Sequence, residues 1–165
     1  PPCLFWGCDD PAVRPWYSQR KETAKSTVSA DVLAKLQAEF DAGFCDEEQT
    51  VSTISSVFSQ YSYVCDPHTA VGVKVYEDYK ARTGDMTKTI IASTANPYKF
   101  TDTVIQAVSP ETNPSNDFDD NRLLSLLTGL EPPKAISELD GKEIRFQKSV
   151  AVGDMPKVVR DMLQL

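Results

Sequence analysis

Histidine is almost missing from this chain: His68 is the single one among 165 residues. Cysteine is sparse too, and none of Cys3, Cys8, Cys45 and Cys65 pairs with another at C-x-x-C spacing. A structural zinc site needs four His or Cys ligands at short fixed spacings, so no metal site is expected. The cysteines are read as reduced thiols of a cytoplasmic protein. No apolar run approaches the roughly 20 residues that cross a bilayer, so no membrane is expected as a partner. No cluster of Lys and Arg provides a basic footprint, and the formal charge is −7, so no nucleic-acid partner is expected either. The start, PPCLFWGCDD, has neither a basic n-region nor an apolar core segment and is not read as a signal peptide. Without an initiator methionine, the chain is expected to be a fragment or a processed product. Neither an internal repeat nor a low-complexity tract is present.

What remains is an ordinary globular composition, 41% hydrophobic and 25% charged, so most of the chain should fold. Residues 1–11 are read as a poorly determined N-terminal end, and 12–165 as one structural unit. A short polar helix is expected over 11–25. Ser29 opens a helix from Ala30 to Ala42 with Val32, Leu33, Leu36 and Phe40 on its inner face and Gly43 as its left-handed end. Asp46 and Gln49 form a capping box for a helix whose buried face is Val51, Ile54, Val57, Phe58 and Tyr61. A helix starting at Asp66-Pro67 runs to Arg82 and stops at Thr83-Gly84-Asp85. Thr87–Ala92 and Glu143–Gln147 have strand character. Further helices are expected over 98–108, 119–130 and 133–139. The closing one is capped by Asp154, with Val158, Val159, Met162 and Leu163 inside. The fold class is therefore α/β, helix-rich with few parallel strands. Two strands make a marginal sheet, which suggests that the chain completes a larger one.

Two motifs carry candidate chemistry. In DPHTAVG, Asp66 is a strong N-cap and Pro67 suits the first helical position. His68 and Thr69 then fall in the first turn, where free N–H groups and the helix dipole attract anions. The residues are compatible with a plain capped helix and with an anion or substrate site. Gly72, costly inside a helix, suggests close packing or a ligand's close approach. In STANPYKF, a strand ends in the hydroxyls of Ser93 and Thr94, where ligands bind in open α/β sheets. A simple capped turn is the other reading.

DPHTAVG followed some twenty residues later by STANPYKF resembles the threonine synthase family. So do the approach CDEEQTVSTISSVFSQYSYVC and the tail EPPKAISELDGKEIRFQKSVAVGDMPKVVRDML; the resemblance covers about residues 12–165. It implies the C-terminal part of a tryptophan synthase β-like, fold type II enzyme that uses pyridoxal 5'-phosphate. Such an enzyme is a carbon-oxygen lyase acting on phosphate, which makes threonine and phosphate from O-phosphohomoserine and water in threonine biosynthesis. By the resemblance, Thr94 lies against the cofactor's ring nitrogen with Ser93 as its neighbour. Asp66, His68 and Thr69 lie near the substrate cleft.

The family is longer, and its Schiff-base lysine, glycine-rich phosphate loop and ring-stacking residue belong to its N-terminal part. Lys99 is not that lysine, so no catalytic residue is assigned here and the fragment alone is expected to be inactive. The missing N-terminal portion is the expected partner, with O-phosphohomoserine as the small-molecule substrate. Asn96 stands where His or Ser is commoner. The alternative is a non-catalytic remnant or interaction module that kept the fold's tail.

Overall fold

The computed structural model describes residues 10–145 and 147–165; most of the expected N-terminal end, with Cys3 and Cys8, lies outside them. Helix α1 covers Asp10–Thr23, α2 Ala30–Glu39, α3 Glu47–Tyr61 and α4 Pro67–Thr83. A 3-10 turn at Pro97–Lys99 leads into α5, Thr101–Val108, followed by α6, Asp117–Thr128, and the short α7, Lys134–Ser137. A second 3-10 turn, Val152–Asp154, leads into α8, Met155–Leu163.

The core lies where α3 packs on α4 and α5, and α5 packs on α6. Ile54, Val104, Ile105 and Leu124 are fully buried there, beside Val57, Val64, Cys65, Ala70, Tyr98 and Ala107. Each of the large ones contributes about 1.5–3 kcal/mol by leaving water. Local signals fix the helix ends. Asp46 accepts the Gln49 amide at 2.8 Å, and the Gln49 side chain accepts the Asp46 amide at 3.0 Å, so both halves of the capping box form. Gly84 and Gly129 end α4 and α6 at φ of 71°, a conformation that costs glycine little.

Several expectations are corrected. α2 stops at Glu39, and Gly43 is not its left-handed end. A Cβ there would lie 3.0 Å from Val75 Cγ1, so Gly43 serves close packing. Ser29 holds the N-cap position of α2 without a side-chain cap bond. Tyr61, placed on the inner face of α3, is 71% exposed. Thr50 and Thr53 are buried instead, their hydroxyls bonding the carbonyls of Asp46 and Gln49. A back-bonded threonine is locally satisfied, which lets a polar residue sit on an apolar face.

Among the described residues there is no β-strand. Thr87–Ala92 and the described part of 143–147 have no regular secondary structure, and Phe146 lies outside the description. A strand exists only against a partner. Main-chain groups of residues 88–95 make no main-chain hydrogen bond among the described residues, and Ile90 is 93% exposed. Among the described residues little covers the inner face assigned to α8: Val159, Met162 and Leu163 are exposed, and Val158 is partly buried.

Candidate functional site

The start of α4 is built around the Asp66 carboxylate, which is wholly buried. Its Oδ1 accepts the His68 amide at 2.9 Å and the Thr69 amide at 3.3 Å; its Oδ2 accepts the Thr69 hydroxyl. Two of the helix's free N–H groups are thus taken by the protein's own carboxylate. Burial pushes the Asp66 carboxyl up. Bonds from the Thr69 hydroxyl and amide, and from the His68 amide and ring, outweigh it and hold the group below its ordinary value. The anion reading of this helix end therefore loses two donors, and the geometry is that of a cap.

His68 leaves the cap toward solvent. Its side chain is 61% exposed, with Nδ1 3.3 Å from Asp66 Oδ1. Its ring packs against Phe100, centroids 5.0 Å apart at 56°. Gly72, one turn further on, faces Ile91, whose Cγ2 would meet an added Cβ at 3.4 Å. It is the 87–92 segment that comes close to this glycine.

The second motif is held at its far end. Asn96 Oδ1 accepts the Tyr98 amide at 3.0 Å and opens the 3-10 turn, a cap that Ser can also provide. Tyr98 is buried, and its phenol donates to the Leu130 carbonyl beyond α6. Ser93 and Thr94 are exposed residues just before this anchored turn.

The two motifs meet through hydroxyls. Thr69 Oγ1 lies 3.3 Å from Ser93 Oγ, across 24 positions of sequence. The phenol of Tyr63 lies 3.4 Å from the same Ser93 oxygen. Of the five candidate residues, Asp66, His68, Thr69 and Ser93 form one connected group. Thr94 adjoins it, and its hydroxyl makes no hydrogen bond among the described residues. Reasoning from the sequence missed Tyr63 and Phe100. Phe100 closes the STANPYKF motif and was visible as part of it. Tyr63, three residues before the cap, carried no pattern to mark it.

A groove of about 530 Å³ lies on another face of α4, between Phe40, Val75, Tyr76, Tyr79, Ile90 and Ile91. None of the five candidates lines it. Its size says less about chemistry than the convergence of polar groups at Ser93. Among the described residues no three His, Cys, Asp or Glu side chains gather as metal ligands, and no helix is long and apolar enough to cross a membrane.

The family model described as "Threonine synthase, C-terminal" matches residues 69–159. Mouse "Threonine synthase-like 1" is 30% identical over 125 residues, which are 75% of this chain and 16% of that protein. The crystal structure of threonine synthase from yeast shares 25% identity with a TM-score of 0.67, covering 93% of this chain and 30% of the other. The structure of threonine synthase from Brucella melitensis with pyridoxal phosphate (PLP) bound shares 30% identity with a TM-score of 0.53, covering 78% and 26%. The chain thus spans 16% to 30% of the length of these relatives.

Proposed function

The chain belongs to the threonine synthase C-terminal family, and from that membership we propose that it is the C-terminal part of a fold type II lyase of threonine biosynthesis. The complete enzyme converts O-phosphohomoserine and water to threonine and phosphate with pyridoxal phosphate. The missing N-terminal portion supplies the cofactor-bearing lysine and the phosphate loop. In that assembly Thr87–Ala92 joins a parallel sheet, a reading supported by the exposed Ile90 and by the lack of main-chain to main-chain hydrogen bonds from residues 88–92 among the described residues. The setting we infer is the cytoplasm, from the sparse, unpatterned cysteines of the sequence.

The observation that carries the proposal is the meeting of the two motifs at Ser93 beside an unengaged Thr94 hydroxyl. That hydroxyl suits a ring nitrogen: it belongs to an exposed residue, can donate or accept, and is uncharged. Thr94 therefore holds the pyridine nitrogen, and its neutrality leaves that nitrogen less protonated than a carboxylate would. When bound, pyridoxal phosphate supplies the electron sink for a β,γ-replacement. His68 presents its ring at the mouth of the site, packed on Phe100, where it faces substrate. Asp66 and Thr69 stay behind it and fix the start of α4.

The test is complementation. The chain is co-expressed with the N-terminal portion of a family member, and threonine and phosphate release from O-phosphohomoserine are measured. Turnover by the pair, and none by either part, is expected. A stable complex that takes up cofactor yet never turns over would refute the enzyme reading and leave the chain a non-catalytic remnant.

A further inference from the structure

We propose that the groove between the end of α2 and residues 89–91 seats one extended apolar strand of the missing N-terminal portion, which pairs with 89–91 and packs its inner side chains on α4; this rests on the reading of the chain as the C-terminal part of a longer enzyme. The floor of the groove is a second face of α4. Gly72, Val75, Tyr76 and Tyr79 line it, at the i, i+3, i+4, i+7 spacing of one helical stripe. The core side of the same helix is Ala70 and Val73, so α4 is apolar on two sides. A helix on a domain surface needs only one. Thr89, Ile90 and Ile91 in succession form one wall. Consecutive residues of an extended chain point to opposite faces, so a wall made by three in a row follows the main-chain edge. The alternation is visible: Ile91 is half-buried over Gly72, while Ile90 is 93% exposed. Phe40, at the end of α2 and 51% exposed, stands on the other side.

Wall and floor ask different things of an occupant. An edge that makes no main-chain to main-chain hydrogen bond among the described residues needs another main chain. A floor of valine and tyrosine needs apolar side chains. A strand with alternate apolar residues supplies both. A helix, whose main-chain groups are spent internally, supplies only the second. The strand comes from the N-terminal portion. Yeast threonine synthase superposes on 93% of this chain, and that alignment is 30% of the yeast chain, so most of such an enzyme remains to fill the groove. A second copy is the poorer occupant, because two chains of formal charge −7 repel. Ser93 and Thr94 directly follow the paired residues. Docking therefore carries the STANPYKF turn to a fixed place and ties that site to assembly.

Amide hydrogen exchange tests this without cofactor or turnover. The chain is measured alone and after co-expression with the tagged N-terminal portion of yeast threonine synthase. Alone, the amides of 88–92 should exchange nearly as fast as in an unfolded peptide; in the complex they should slow about 100-fold or more. Two variants probe the two halves of the contact. Thr89→Pro combined with Ile90→Pro removes consecutive N–H groups, one from each edge of the strand. Tyr76→Glu puts a charge on the floor. Each should cut the amount of chain held by the tagged portion about tenfold, with the melting temperature of the free chain unchanged. Wild-type retention of both variants would overturn the proposal, as would a complex in which 88–92 exchange as fast as in the free chain. So would a tagged portion that holds no wild-type chain, or protection of 88–92 in the chain alone that grows with concentration, the mark of a second copy. Turnover by a complex with 88–92 unprotected would keep the enzyme reading and remove this one. Docking as described, with cofactor uptake but no turnover, would do the reverse.

Discussion

Replacing Asp66 is the sharpest perturbation of this molecule, and it can be dissected with two substitutions. Asp66→Ala removes a helix cap, worth about 0.5–2 kcal/mol. It also leaves the buried Thr69 hydroxyl without its charged acceptor, a further cost of about 1–3 kcal/mol. The expected loss is about 3 kcal/mol, a large share of the 5–15 kcal/mol typical of a whole domain. Asp66→Asn is gentler, because asparagine caps as well as aspartate. Its single oxygen keeps the two amide bonds, while its nitrogen in the place of Oδ2 can only donate. The charged bond from the Thr69 hydroxyl therefore gives way to a neutral one that Thr69 accepts, a difference of about 1 kcal/mol. The pH dependence supplies the check. The folded carboxyl lies below its ordinary value, so the unfolded chain binds the proton more readily. The charge's contribution is therefore present in full above the unfolded value, about 3.9. It is lost as the pH falls through the folded one. Urea unfolding of wild type and Asp66→Asn should show the ~1 kcal/mol gap at pH 7 and a closing gap below about pH 4. Other depressed carboxyls, such as Asp41 and Asp119, are common to both proteins and cancel. A gap that stays constant from pH 7 to pH 3, or an Asp66→Ala loss under about 1 kcal/mol, would refute this account of the cap.

In an enzyme completed with an N-terminal portion, Thr94→Ala should shift the cofactor absorbance and slow turnover at nearly unchanged melting temperature; a wild-type spectrum and rate would defeat the assignment. Burial pushes the Cys65 thiol up to about 11. Iodoacetamide at pH 8 should therefore leave Cys65 unmodified in the native chain and label it in urea, by mass spectrometry. Because that value is raised, the stability it carries is full below the ordinary 9.0 and falls as the pH rises toward 11. Tyr98→Phe should cost about 1 kcal/mol in chemical unfolding, no more, since the Leu130 carbonyl keeps a second donor in the Ser125 hydroxyl. At nine residues, α8 is too short to persist without packing, so its amides should exchange with solvent far faster than those of α3, and comparable protection would show a contact the fold lacks.

The ends of α3 and α4 were legible because their signals are local, whereas Ser29, Gly43 and Asp154 have the residue types of helix ends without making the expected caps. Asp46 with Gln49, Asp66 with Pro67, and Gly84 each act within three or four residues of themselves, so adjacency in sequence is adjacency in space. The inner face of α3 was largely legible through helical period, apart from the exposed Tyr61. The strand at 87–92 was read from composition alone, and composition fixes preference without supplying a partner. Its β-branched residues remain unpaired among the described residues. The α8 stripe shows the same limit: Val158, Val159, Met162 and Leu163 were read as its inner side, but period says which side is apolar and not what covers it.

The site divides along the same line. That DPHTAVG caps a helix follows from the order of its residues. That it meets STANPYKF does not, because the contact spans 24 positions and runs through side chains. The distinction between Ser93 and Thr94 is further still from the sequence. They are adjacent, both hydroxylated and both exposed. Among the described residues, Thr69 and Tyr63, 24 and 30 positions away, engage Ser93, and the Thr94 hydroxyl makes no hydrogen bond. Adjacency marks where each motif lies and how DPHTAVG caps α4, but which side chains meet is decided by the fold that brings the start of α4 beside residue 93.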